Sequence, residues 1–210
     1  MHKLDDIADQ IRLDFEARTA ARDQALSQTR TLTRHCANAI RAVHRDEYDT
    51  VQEELNCARQ LADGLHRMLT DYPDLYYAGY TQDALKEYAE ATIVYALIAD
   101  HSLPTPEEIG MESATYLKGL AEASGELRRR CLDILRHGYS DEAEQLLAYM
   151  DDIYAVLVTM DYPDAITGGL RRLTDIARSI NERTRGDMTI SLRQEHLEDS
   201  LKRLESKLDH

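Results

Sequence analysis

Residues 87–99 read EYAEATIVYALIA, and this stretch decides both the fold and the place to look for chemistry. From Ala91 to Ala99 only Thr92 and Tyr95 carry polar atoms and nothing is charged. A helix that is apolar all round is a buried helix. Glu87 and Glu90 stand just ahead of that run, three residues apart and therefore on one helical face. Val94, Leu97 and Ile98 continue the same stripe. Burying an unpaired carboxylate is costly, so two acids in line with a core-facing stripe call for a metal ion, a basic partner or a raised pKa.

Working outward, helical periodicity continues on both sides. Leu4, Ile7 and Ile11 open a first helix reaching about residue 44, and a second spans roughly 47–70, stopping at Tyr72-Pro73-Asp74. The Glu87–Glu90 helix covers about 81–100. In the loop DHSLPTPEEIG, Thr105, Pro106 and Glu108 supply an N-cap, an N1 proline and a capping-box acid for a short helical turn. Further helices are predicted over about 112–137, ended by Gly138, and over 141–160, ended before Pro163. Another follows Gly168-Gly169 to about 185. Gly186-Asp187 reads as a break, and a last helix carries Ile190, Leu197, Leu201, Leu204 and Leu208 as a near-heptad seam suited to a partner helix. The expected fold is all-α: a single domain over residues 1–210, a bundle of about seven helices. The tetrapeptide DYPD at 71–74 and again at 161–164 reads as two similar helix stops.

Composition agrees. The 210 residues are 43% apolar, with four prolines and nine glycines, which favours long helices around a substantial core. The formal charge is −14, and arginines outnumber lysines twenty to five. High Asp and Glu with scarce Lys suggests adaptation to high salt, as in a halophilic source; an ordinary acidic protein is the alternative. A net-acidic chain does not bind nucleic acid through its overall field, so any such contact rests on locally clustered arginines. Cys36, Cys57 and Cys131 are odd in number and widely spaced, with no CxxC, which fits free thiols in a reducing cytoplasm. The charged N-terminus is not a signal peptide, and no apolar run reaches 18 residues, so no membrane span is expected.

The second informative segment is YLKGLAEASGELRRR, residues 116–130. Glu122 and Glu126 form an i,i+4 pair, with Ser124 and Gly125 between them. A glycine inside a helix often marks close approach by another backbone or a ligand. The EYAEA segment is likewise small around its acids, at Ala89 and Ala91. Two such helices packed closely would bring four carboxylates together, and their repulsion calls for a divalent cation. Oxygen-only ligands point to Mg²⁺ or Mn²⁺. Arg129, three residues after Glu126, reads either as a phosphate clamp or as an intrahelical salt bridge. Arg30, Arg34, Arg41 and Arg45 fall within about 60° of one helix face, either a phosphate-tracking stripe or a solvated face paired with acids. Tyr76, Tyr77 and Tyr80 read as packing residues or as base-stacking ones, and Lys86 is expected to face away from its neighbour Glu87. No ExxH occurs in the chain, which argues against a di-iron carboxylate bundle.

These residues resemble the translin/TRAX family, in particular its TRAX-like archaeal branch. The resemblance runs over most of the chain and is strongest in YPDLYYAGYTQDALKEYAEA (72–91), YLKGLAEASGELRRRCLDIL (116–135) and GGLRRLTDIARSINERTRGDMTISLRQEHLE (168–198). It implies a translin-like helical fold assembled into a hollow, octamer-like shell, either as a homo-oligomer or with a translin-like second subunit. It also implies binding of single-stranded RNA or DNA and, for the TRAX type, Mg²⁺-dependent endoribonuclease activity. The motif acids of EYxEA and of the D-x-x-G-E type segment fall on Glu87, Glu90, Glu122 and Glu126, with Glu122 replacing the family's Asp on an arm one methylene longer. Translin itself lacks the EYxEA acids and binds nucleic acid without cutting it, which is the alternative reading.

Overall fold

The computed structural model describes residues 2–208. Among them are eight helices and no strand: α1 (His2–His44), α2 (Tyr48–Met68), α3 (Pro73–Tyr76), α4 (Gly79–Ile98), α5 (Ser113–Leu135), α6 (Asp141–Val158), α7 (Asp164–Thr167) and α8 (Leu170–Leu208). The chain divides into two compact units. One holds the residues up to 92 together with 104–116; the other holds 93–103 and the residues from 117 onward. The division runs through α4 after Thr92 and through α5 after Tyr116. None of the described helices is long and apolar enough to cross a membrane.

In the first unit α1 and α2 form an antiparallel hairpin, turned at Asp46, whose φ is +58°. Leu32, Cys36, Ala39 and Val43 on α1 and Val51, Ala58 and Leu65 on α2 are all fully buried. The α1 positions recur every three or four residues and the α2 positions every seven, two turns, so each helix buries one stripe. Across the hairpin, His35 and Asn38 both bind the Glu54 carboxylate on α2. The capping box at 105–108 closes as read: the Thr105 N–H donates to Glu108 Oε2 at 2.8 Å, and the Glu108 N–H donates to Thr105 Oγ1 at 3.3 Å. It encloses a turn rather than a helix.

In the second unit α8 packs on α6 and α7. The Asn181 side-chain amide donates to the Met150 carbonyl at 2.7 Å, and Arg185 pairs with Asp151 at 2.6 Å. Ser140 caps α6, its hydroxyl accepting from the Ala143 N–H, and Asp141, Glu142 and Glu144 follow in the first turn, where the helix dipole favours acids. Gly138 has φ +119°, a conformation suited to glycine, three residues past the end of α5.

Two sequence expectations change. The break at Gly186-Asp187 does not exist, because α8 runs unbroken to Leu208. Its buried face, Leu170, Ala177, Asn181, Thr184 and Met188, passes straight across the glycine. Burial of that face outweighs the roughly 1 kcal/mol helix cost of one glycine. In addition, both DYPD stops lead into a one-turn helix, α3 or α7, before the next long helix begins at Gly79 or Leu170. Proline suits such a start, since its fixed φ and missing N–H cost nothing in a first turn.

The continuity of α8 is testable. Gly186 is exposed, and an added Cβ would meet no atom within 4 Å. Gly186→Ala should therefore stabilise the protein, by roughly 0.5–1 kcal/mol. Urea denaturation followed by circular dichroism checks this; a loss of stability would restore the break.

Two stretches bury little. Leu4, Ile7, Ile11, Leu13 and Phe15 on α1 are 48–69% exposed, and Ile190, Leu197, Leu201, Leu204 and Leu208 on α8 are 50–76% exposed. The C-terminal seam read from the sequence is thus a bare apolar stripe.

Candidate metal centre

Helix α4 has no exposed residue from Ala84 to Ala99. Ala89 and Ala91 are fully buried on either side of Glu90, which is itself only 8% exposed. On α5, Ala121 and Ala123 are buried on either side of Glu122. Small neighbours leave room for the acids to approach. One carboxylate oxygen of Glu87 lies within 4.8 Å of one of Glu90. Glu87 and Glu122 are half-buried.

Two carboxylates so close, partly shielded from water, repel each other and require positive charge. One cation is already present: Lys86 Nζ lies 3.2 Å from Glu87 Oε1, its side chain only 16% exposed. This corrects the expectation that Lys86 faces elsewhere. Neighbouring Cβ atoms on a helix diverge, but a four-carbon arm reaches back. The cluster also acts on Cys36, which is fully buried. Burial first, then the Glu87 and Glu90 carboxylates, push its thiol far above the ordinary range. Cys36 therefore stays a neutral thiol and adds no soft ligand. Cys131 is pushed up to about 11, chiefly by burial, and is equally inert.

The donor set suits a hard divalent ion. Around Mg²⁺ or Mn²⁺, oxygens at about 2.1 Å stand roughly 3 Å apart when adjacent and about 4.2 Å apart when opposite. The Glu87 and Glu90 oxygens lie within 4.8 Å of each other, a bound slightly wider than the opposite-ligand spacing.

Glu122 and Glu126 stand one turn apart on α5, and Arg129 Nη1 approaches Glu126 Oε2 at 3.5 Å. Arg129 is thus in its salt-bridge arrangement, half-exposed. Gly125 differs from expectation: an added Cβ there would meet nothing within 4 Å, so no described backbone packs against it.

The four arginines of α1 separate into two kinds. Arg41 donates to the Asn38 side chain, and Arg45 binds Glu47 through two hydrogen bonds of 2.8 Å. Arg30 and Arg34 are exposed and engage no described side chain. Arg30 shares a cleft with Glu87. The tyrosines also separate. Tyr76 is buried, edge-on to His66 and to Tyr77, and Tyr77 donates to Glu112 Oε1 at 3.1 Å. Tyr80 lines the cleft beside Glu87.

No protein-family model matches the chain. It is 31% identical, over 188 residues, to the uncharacterized protein MJ0175 of Methanocaldococcus jannaschii, covering 89% of this chain and 83% of the relative. Among solved structures it is similar to AfC3PO, with a TM-score of 0.81 and 29% identity over 89% of this chain and 97% of that one. It is equally similar to AfC3PO in complex with duplex RNA, at a TM-score of 0.80, 29% identity and coverage of 89% and 96%. Apo-NeC3PO has the same fold, at a TM-score of 0.80 and 20% identity over 87% of this chain and 96% of that one. C3PO is the translin/TRAX complex. An all-α fold matched over nearly the whole of these chains, at 29% identity to AfC3PO, places the chain in the translin/TRAX family.

Proposed function

We propose that the protein is a divalent-metal-dependent endoribonuclease of the TRAX type, cutting single-stranded RNA inside an oligomeric shell. The observation that carries this reading is the approach of the Glu87 and Glu90 carboxylate oxygens to within 4.8 Å of each other on the buried helix α4. These two would hold Mg²⁺ or Mn²⁺, and the family motif adds Glu122 and Glu126 of α5. A bound ion would supply Lewis-acid polarisation of the phosphate and a water acidified toward neutral pH. The chain's own residues do the rest. Buried Glu90 fixes its carboxylate with little side-chain freedom, because α4 is packed on every side. Lys86 balances Glu87. Arg30 offers a free guanidinium for phosphate beside the same glutamate.

A relative solved with duplex RNA supports RNA as the ligand class. The exposed apolar stripes on α1 and α8 support assembly, either with further copies or with a translin-like subunit. The alternative is a non-catalytic shell that binds single-stranded RNA or DNA. A labelled RNA of about 20 nucleotides separates the two: internal cleavage with Mg²⁺ or Mn²⁺ and none in EDTA is expected. RNA that is retained but left whole with both ions selects the binding-only shell.

A further inference from the structure

The cleft beside Glu87, with a volume of about 360 Å³, is lined on one wall by Thr29, Arg30 and Thr33 of α1 and on the other by Tyr80, Asp83 and Glu87 of α4. Glu87 belongs both to this cleft and to the carboxylate cluster, so the cleft leads onto the candidate metal centre.

Four of its polar side chains, Arg30, Thr33, Tyr80 and Asp83, are idle. Arg30, Thr33 and Asp83 are exposed, and among the described residues none of their side chains makes a hydrogen bond or ion pair. The Tyr80 hydroxyl is buried without a partner. Such a group costs free energy unless something else satisfies it. Arg30 and Asp83 carry opposite charges into one cleft without pairing, while Arg41 and Arg45 of the same helix face are both engaged. The walls therefore present a cationic fork on one side and a free acceptor on the other, with a hydroxyl on each.

A ligand that fits must carry an anion for Arg30 and a hydroxyl donor for Asp83. A ribonucleotide has both, in its phosphate and its ribose 2′-OH. A deoxyribonucleotide has only the first, and would leave Asp83 facing the phosphate chain with nothing to accept. We propose that this cleft is a ribonucleotide subsite: Arg30 grips the phosphate next to the one being cut, and Asp83 accepts the 2′-OH of the adjoining ribose, so that the site selects RNA over DNA. The 2′-OH is the group by which a protein distinguishes the two. This inference rests on the nuclease reading for its location but not for its test.

The test measures binding of a fluorescein-labelled octanucleotide, as RNA and as DNA of the same sequence, by anisotropy with Ca²⁺ replacing Mg²⁺ to hold cutting back. The wild type should prefer RNA by about tenfold, the value of one well-placed hydrogen bond. Asp83→Ala should bring the ratio to within about twofold, chiefly by losing RNA affinity. Arg30→Gln should weaken RNA and DNA alike, by roughly five- to tenfold, since a phosphate contact carries no sugar information. Both residues are exposed, so neither variant should alter the melting temperature. An unchanged ratio in Asp83→Ala, or a wild-type ratio near one, overturns the subsite. Failure of the nuclease reading looks different: no cutting in Mg²⁺ or Mn²⁺ while the RNA preference and its dependence on Asp83 persist.

Discussion

Glu90→Gln will abolish RNA cleavage and leave RNA binding within about twofold of wild type. Glutamine matches glutamate in volume, so the packing of Ala89 and Ala91 around it is kept. The charge is not kept, and with it goes one of the two anionic oxygens that α4 holds within 4.8 Å of each other. A metal's stabilisation of transition-state charge amounts to several kcal/mol, so the cut rate should fall on the order of a thousandfold. The melting temperature of the metal-free protein should not fall, because one of two repelling charges has been removed. Cleavage assays with and without Mg²⁺, beside a thermal melt, read both quantities. A variant that still cuts at the wild-type rate would take the chemistry away from this cluster.

Ile93→Ala should give the largest loss of stability among single-residue changes in α4. Ile93 is fully buried, three residues beyond Glu90 and in line with it. Truncating a buried isoleucine costs the transfer of the lost methyl and methylene groups plus the cavity left behind, about 2–5 kcal/mol. For a chain of this size, that corresponds to a fall in melting temperature of roughly 5–15 °C. A calorimetric shift below about 2 °C would mean that the surroundings collapse onto the void, contrary to a helix packed on all sides.

Much of this was legible in the sequence because it is periodic. The apolar run 91–99 and the stripes of α1 and α2 repeat over several turns, and their burial follows. The one-turn helices α3 and α7 have four residues each, too few to show a period. The unbroken α8 was misread for the opposite reason: Gly186-Asp187 is a strong local signal, but the buried face linking Thr184 to Met188 is a stronger tertiary one. At the site, the acidic pairs were readable because they adjoin an apolar run. Lys86 was not, since a helical wheel places Cβ atoms and ignores the reach of a lysine arm. The Arg30–Asp83 cleft was not readable either, because it joins side chains more than fifty positions apart that share no motif.

The bare ends of α1 and α8 have a consequence for how the molecule behaves when diluted. Ten bulky aliphatic or aromatic groups lie along two rods in contact with solvent. At about 25 cal/mol per Å² of apolar area, covering even part of them is worth more than most internal contacts. In the assembly proposed above, the free energy holding the chain in shape would depend on how many neighbours cover these ends, and by mass action its melting temperature would climb with protein concentration.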